Sequence, residues 1–317
     1  MIEIFYKSNG QVLVSQSESL FQELQRSDVI WIDLFAPSGD EKRSTEAFLG
    51  TTIQSRAQAE EIESSSRFFE NDKAIFANTN FVIPGPEEYS METVSFIICD
   101  GVLTTIREVP LRSFVDLQRR LQAFPKKYAN GYLVFVSILE QRVDLDADMI
   151  ELMSKEIAQF SKKINLGEDV NEEFLLDINQ LQENTMLVRE NIVDKQRVIS
   201  SVLKSNKYPR EYQTKMNVLL KDISSLINHT NFSFERLEYL QNTVLGLINL
   251  DQNKIMKVFT LVSLLLMPPT LVTGFFGMNV FGDVLEVRPW LSIPMISFLL
   301  IVPVIVIYLI FRKKNML

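Results

Sequence analysis

The residues whose types and spacing could do chemistry lie on one face of a single helical stretch near the C-terminal end. Alternate steps of four and three from Asn249 give Asn253, Met256, Thr260, Ser263, Met267, Thr270, Gly274 and Gly277. Each of these positions is polar, small or methionine, and none is Ile, Val, Leu or Phe. Amide and hydroxyl oxygens accept hydrogen bonds, so such a face can be wetted by water and by ions that keep their hydration shells. Methionine sulfur offers neither, so Met256 and Met267 would resist a hydrated ion. A stripe of this kind on a membrane helix either packs closely against another helix or lines a water-filled path. Two asparagines at one end and hydroxyls at depth suit the path. Two spans cannot enclose one, so a path requires several copies of the chain.

The elements that must position this stripe are membrane spans. Val258–Gly282 is 25 residues without a charge, and Pro289–Phe311 is another 23. Either can cross a hydrocarbon core of about 30 Å at about 1.5 Å per helical residue. Pro268-Pro269 inside the first span predicts a local bend. Lys254 and Lys257 precede the first span, Arg312, Lys313 and Lys314 follow the second, and the connector holds only Asp283, Glu286 and Arg288. The positive-inside rule then places both termini in the cytoplasm. Met1–Lys7 alternates like a strand and lacks the basic flank and apolar core of a signal peptide.

The composition excludes several classes of function. One histidine, His229, and one cysteine, Cys99, cannot build a zinc site of the usual His/Cys kind, a disulfide or a convincing Ser/His/Asp set. No GxxxxGK loop is present. The chain therefore reads as no enzyme, without a cofactor. His229 reads as a polar contact in the helical region, and Asp144, Asp146 and Asp148 as a solvated helix face. Residues 254–317 hold 6 Lys/Arg and 2 Asp/Glu, which leaves 26 basic and 38 acidic residues in 1–253. A net of −12 there repels nucleic-acid phosphates, so nucleic acid is no partner. The same charge raises the local concentration of cations.

The fold class that follows is an α+β domain, then long stalk helices, then two C-terminal transmembrane helices. Residues 1–125 form the α+β domain and 126–253 the helical stalk region. The first span occupies 254–282, an external loop 283–289, the second span 290–311 and a basic tail 312–317. Ile2–Lys7, Val12–Ser15 and Val29–Leu34 read as strands, and Ser38 with Glu41 as a helix start. Phe68–Val82 and Thr93–Arg107 read as further β-structure, the latter folded at Asp100-Gly101. Leu219, Ile223, Leu226, Leu237, Leu240, Val244 and Leu247 mark a heptad-like seam that Thr230 and Ser233 interrupt. Pro209 starts the last stalk helix, and no proline or glycine stops it between Leu250 and Val258. It is expected to run unbroken into the first span.

At Gly277-Met278-Asn279, at the outer end of the first of two C-terminal spans, the chain resembles the CorA family of divalent-cation transporters. The segment from Ile248 to Thr260, Met267-Pro-Pro-Thr, the basic end after Phe311 and Ala59–Glu70 are similar to that family as well. The resemblance implies a funnel-shaped homopentamer in a bacterial- or archaeal-type inner membrane, with the first spans lining the pore. It places Asn279 and Gly277 at the outer mouth beside Met278, with Thr270 and Gly274 below. It assigns Met256, Phe259 and Met267 to a hydrophobic constriction and Asn253 to a polar ring at the inner face. The chain departs from the family at Asn242, where some relatives carry a pore-facing aspartate, and at Val280-Phe281-Gly282-Asp283 in the loop. Glu286 is a candidate for the acid missing from that loop.

The function implied is passive uptake of hydrated magnesium, with cobalt and nickel as further cargo, driven by the membrane potential. Together with the acidic cytoplasmic part, the resemblance implies that internal magnesium closes the channel, with Asp222 as a candidate regulatory ligand. Two alternatives stand: a zinc transporter of the same architecture, and a membrane-anchored coiled-coil scaffold without transport. The scaffold accounts for the heptads but not for the polar stripe.

Overall fold

The computed structural model describes residues 1–61, 67–86, 88–167, 171–278 and 289–313. They fall into two compact units, Met1–Gln241 and Asn242–Leu317.

The first unit is built on a seven-stranded sheet, β1 (Ile2–Ser8), β2 (Gln11–Ser15), β3 (Val29–Phe35), β4 (Phe68–Glu70), β5 (Ala74–Ile83), β6 (Ser90–Cys99) and β7 (Val102–Arg107). Its order is β2-β1-β3-β7-β6-β5-β4. The central β3–β7 pair is parallel and the other pairs are antiparallel. Hairpins need only tight turns, and β6–β7 turns at Asp100 and Gly101, with φ of 49° and 83°. Six of the seven β3 residues are buried, the near-continuous apolar run of a strand covered on both faces. The buried Asp33 in that run meets Arg107 of β7, whose Nη2 lies 2.8 Å from Oδ2. Burial pushes the Asp33 carboxyl up despite the guanidinium beside it.

Helices α1 (Gly39–Leu49) and α2 (Arg56–Glu60) open with reciprocal capping boxes at Ser38/Glu41 and Ser55/Gln58. Helix α3 (Arg112–Ala123) buries Phe114, Leu117 and Leu121, one face of a 3.6-residue period. Helix α4 (Gly131–Leu166) is capped by Asn130, whose side chain accepts from the Leu133 N–H. Its first residue touches the β6–β7 hairpin: Gly131 N–H donates to the Gly101 carbonyl at 2.6 Å. A Cβ at Gly131 would stand 2.2 Å from the Leu103 nitrogen, so only glycine fits. Helix α5 (Glu172–Lys204) starts at the Asn171 cap.

Helix α6 (Arg210–Gly277) begins directly after Pro209, as expected, and runs unbroken through 68 residues. Tyr132 of α4 packs against Tyr208 and Tyr212 at ring distances of 5.6 and 5.8 Å, fastening the start of α6 to that of α4. Met216, Leu219, Ile223, Thr230, Ser233, Leu237, Leu240 and Val244 are buried along α6. Thr230 and Ser233 thus belong to the seam and do not interrupt it. The Thr230 hydroxyl satisfies itself by donating to the Ile227 carbonyl at 2.8 Å, which lets it occupy a buried position. His229 is exposed on the same helix.

The three aspartates of α4 are not all solvated. Asp144 and Asp148 are exposed, but Asp146 is 0% exposed. Lys195 of α5, itself fully buried, places Nζ 2.8 Å from the Asp146 carboxylate and donates to Asn191 Oδ1 at 2.6 Å. Asn191 Nδ2 donates to Asp146 at 3.1 Å, and Arg142 lies 3.7 Å away. Arg142 also donates to the Val82 carbonyl of β5 at 2.8 Å, so the cluster ties both helices to the sheet. A buried carboxylate is tolerable only with such partners.

The second unit contains the C-terminal part of α6 and helix α7 (Pro289–Lys313). Both helices are long and apolar enough to cross a membrane. Helix α6 passes through Pro268 and Pro269 without interruption, so neither residue donates the helical bond that the carbonyls of Leu264 and Leu265 would otherwise accept.

Candidate ion path

The stripe on α6 stands clear of the rest of its unit. Asn249, Asn253, Met256, Thr260, Ser263, Met267, Thr270, Gly274 and Gly277 are all exposed. The covered side of the span consists of Leu261, Leu264, Leu265, Pro268, Pro269, Val272 and Phe276, of which Val272 is buried and the others half-buried. At about 100° per residue the centres of the two faces lie about 155° apart around the helix. The stripe therefore points away from the side that packs within the chain. Among the described residues a Cβ added at Gly274 or Gly277 would meet nothing within 4 Å, so none of them requires glycine there. Close packing against a helix of the same chain does not account for the stripe.

Hydroxyl geometry defines what the stripe presents. Thr260 Oγ1 donates to the Met256 carbonyl at 2.7 Å, and Thr270 Oγ1 to the Leu266 carbonyl at 2.8 Å. Each hydroxyl has one proton and has given it to the backbone, so the oxygen keeps only acceptor lone pairs for its surroundings. Acceptors suit a cation whose bound waters are donors. Met256, Phe259 and Met267, the residues of the expected constriction, are 60%, 67% and 62% exposed along the same side. They interrupt the acceptors with surface that cannot coordinate.

The charges near the start of the apolar stretch are arranged consistently with this. Lys254 pairs with Asp251 at 2.8 Å. On the helical wheel Lys254 and Lys257 fall about 160° and 100° from the centre of the stripe, so neither ammonium lies on it. Asn242, by contrast, continues the stripe two further steps, one heptad before Asn249, and is exposed. Of the signature triplet, Gly277 and Met278 are exposed, while Asn279, the loop through Asp283 and Glu286 lie outside the described residues. Asp222 is exposed on α6. Among the described residues no group of three or more His, Cys, Asp or Glu side chains is arranged to hold a metal ion.

Comparison with known proteins decides the family. A family model described as "CorA-like Mg2+ transporter protein" matches residues 26–313. The chain belongs to the CorA family. Curated CorA relatives include the magnesium transport protein of Wolinella succinogenes, 33% identical with all of both chains covered. The magnesium transport protein CorA of Escherichia coli K12 is 31% identical over 92% of each chain. Among solved structures, the CorA magnesium transporter of Methanocaldococcus jannaschii superimposes with a TM-score of 0.80 at 18% identity, covering 100% of this chain and 99% of that one. The ZntB cytoplasmic domain of Vibrio parahaemolyticus gives a TM-score of 0.58 at 17% identity, over 79% of this chain and 98% of that domain. These likenesses establish the CorA fold, including an α+β unit, long helices and two C-terminal apolar helices.

Sequence reasoning missed the buried Asp146–Lys195 cluster and the contacts of Arg67. The one available signal was Arg142 four residues before Asp146, a spacing that pairs charges on a helix.

Proposed function

We propose that this chain carries magnesium into the cell through a path enclosed by the α6 stripes of several copies, five in the family's assembly. The observation that carries the reading is the stripe itself, an exposed row of acceptors turned away from the packed side of the span. The curated relatives at 29–33% identity are named for magnesium transport, which favours magnesium over zinc. Cobalt and nickel share its octahedral hydrated chemistry and would compete.

The mechanism follows from the reluctance of magnesium to lose water. A mouth of Asn279 and Gly277 oxygens accepts hydrogen bonds from the ion's waters without stripping them. Gly274, Thr270, Ser263 and Thr260 continue the acceptors, and Asn253 and Asn249 receive the ion at the inner face. Neutral acceptors hold it weakly enough to leave. Met256, Phe259 and Met267 form the dewetting constriction that closes the path. With both termini cytoplasmic, inward movement of a divalent ion gains about 4.6 kcal/mol per 100 mV, so no nucleotide hydrolysis is needed. Internal magnesium bridging carboxylates between copies, Asp222 among them, would favour the closed state.

The test is magnesium uptake into proteoliposomes under an inside-negative potential, with competing cations outside. Wild-type protein should take up magnesium, slowed by cobalt, nickel and internal magnesium, and Asn279→Ala should abolish uptake with assembly intact. Unaffected uptake by Asn279→Ala would overturn the assignment of the mouth, and no magnesium flux at all would overturn the function.

A further inference from the structure

The Met1–Gln241 unit carries a groove that ion passage does not use. It is a hollow of about 420 Å³ bounded by three arginines, Arg67, Arg189 and Arg197. Its most telling wall is Arg67, just before β4, which is only 6% exposed. One Arg67 nitrogen donates to Asn80 Oδ1 at 3.2 Å, and Nε lies 3.5 Å from Asp194 Oδ1. Asp194 is already served by two other donors, the Thr79 hydroxyl at 3.1 Å and the Asn80 N–H at 3.2 Å. A guanidinium has five N–H donors. Among the described residues Asn80 and Asp194 are the acceptors that Arg67 meets, and the guanidinium also lines the groove.

The other two arginines bracket the groove from α5. They are exposed and eight residues apart, about 12 Å along the helix axis. Arg189 is held in place by its Nε bond to Asn231 Oδ1 at 2.7 Å. Arg197 has no side-chain partner among the described residues. Val193 and Met91 supply an apolar wall between them. Against the three arginines stand Asp194 and Glu190, which leaves the groove with one net positive charge. That runs against the acidic character of the region around it.

Planar forks of donors match phosphoryl oxygens two at a time. A volume of about 420 Å³ lies in the usual range for a small-molecule site. We propose that the groove binds a phosphate-bearing anion of nucleotide size, its phosphoryl oxygens held by Arg67 with Arg189 and Arg197, its apolar part against Met91 and Val193. The inference is independent of the magnesium path.

The test is equilibrium dialysis of the detergent-solubilised full-length protein against labelled ADP and, separately, labelled pyrophosphate, with magnesium in excess. Saturable binding of up to one molecule per chain is expected, weakened at least tenfold by Arg197→Gln. Arg197 has no side-chain partner among the described residues, so that variant should fold and transport magnesium as the wild type does. Arg189→Gln gives a second reading from the other end of the groove. Binding of both probes assigns the site to phosphoryl groups alone, and binding of ADP only assigns it to a nucleotide. No saturation by either probe below about 10 mM, or binding unchanged in both variants, would overturn the proposal.

Discussion

Replacing Thr270 by valine tests the acceptor geometry with an internal control. Valine keeps the branched shape and removes the hydroxyl that donates to the Leu266 carbonyl at 2.8 Å while presenting its lone pairs outward. Thr273 donates in the same way, to the Pro269 carbonyl at 2.9 Å, but lies about 100° round the helix from the centre of the stripe. The loss of the hydroxyl-to-carbonyl bond is common to both variants, so the difference between them isolates the outward acceptor. A hydrogen bond is worth about 0.5–1.5 kcal/mol net. In the five-copy assembly proposed above, the low end amounts to about 2.5 kcal/mol at the barrier, a slowing of roughly 50-fold or more. Initial rates of magnesium uptake into proteoliposomes, normalised to reconstituted protein, give the readout. Thr270→Val should fall by that factor and Thr273→Val should stay within about twofold. Equal rates for the two variants, whether both normal or both low, would refute the reasoning.

The Met1–Gln241 unit yields three further expectations. Lys195→Met leaves the fully buried Asp146, among the described residues, with Arg142 and Asn191 alone, and should destabilise the unit by about 3–5 kcal/mol in denaturant unfolding; Asp146→Leu with Lys195→Met should restore most of it. Burial pushes the Lys195 ammonium down to about 8 from its ordinary 10.5, so between those values the unfolded chain binds more protons and stability rises with pH. Wild type should therefore gain on Lys195→Met by about 1 kcal/mol per pH unit from pH 8 towards 10, with no such slope below pH 7; a flat difference would contradict the burial of that amine. Gly131→Ala drives a methyl into the backbone of Leu103 and should cost about 1–3 kcal/mol, read as a lowered thermal midpoint.

Much of the fold was legible because its signals are local. The Ser38/Glu41 capping box and the Asp100-Gly101 turn are read within four residues and stand where expected. The stripe from Asn249 to Gly277 was legible because helical periodicity alone puts its members on one face, and the structure leaves that face exposed. The rest depends on neighbours distant in sequence. Asp146 looks like its solvated neighbours Asp144 and Asp148 until Lys195 on the next helix is packed against it. Thr230 and Ser233 look like breaks in the seam because a hydroxyl's use of its own backbone leaves no trace in composition. The parallel pairing of β3 with β7 joins strands that three others separate in the sequence, and no turn signal announces it. Arg67 and Arg197 share a groove only because α5 lies beside β5 and β6.

Thiol labelling along α6 tests the central claim most directly. The chain's one native thiol, Cys99, is buried and its ionisation is pushed up by burial, so background labelling is low. Single cysteines placed at Thr260, Ser263, Thr270 and Gly274, and separately at Leu261, Leu265 and Val272, are exposed to a membrane-impermeant thiol reagent in the assembled, membrane-embedded protein. Rapid labelling of the first set, slowed by magnesium, with the second set inert, is the result expected of a wet path. Labelling confined to the second set, or silence at every stripe position, would contradict it.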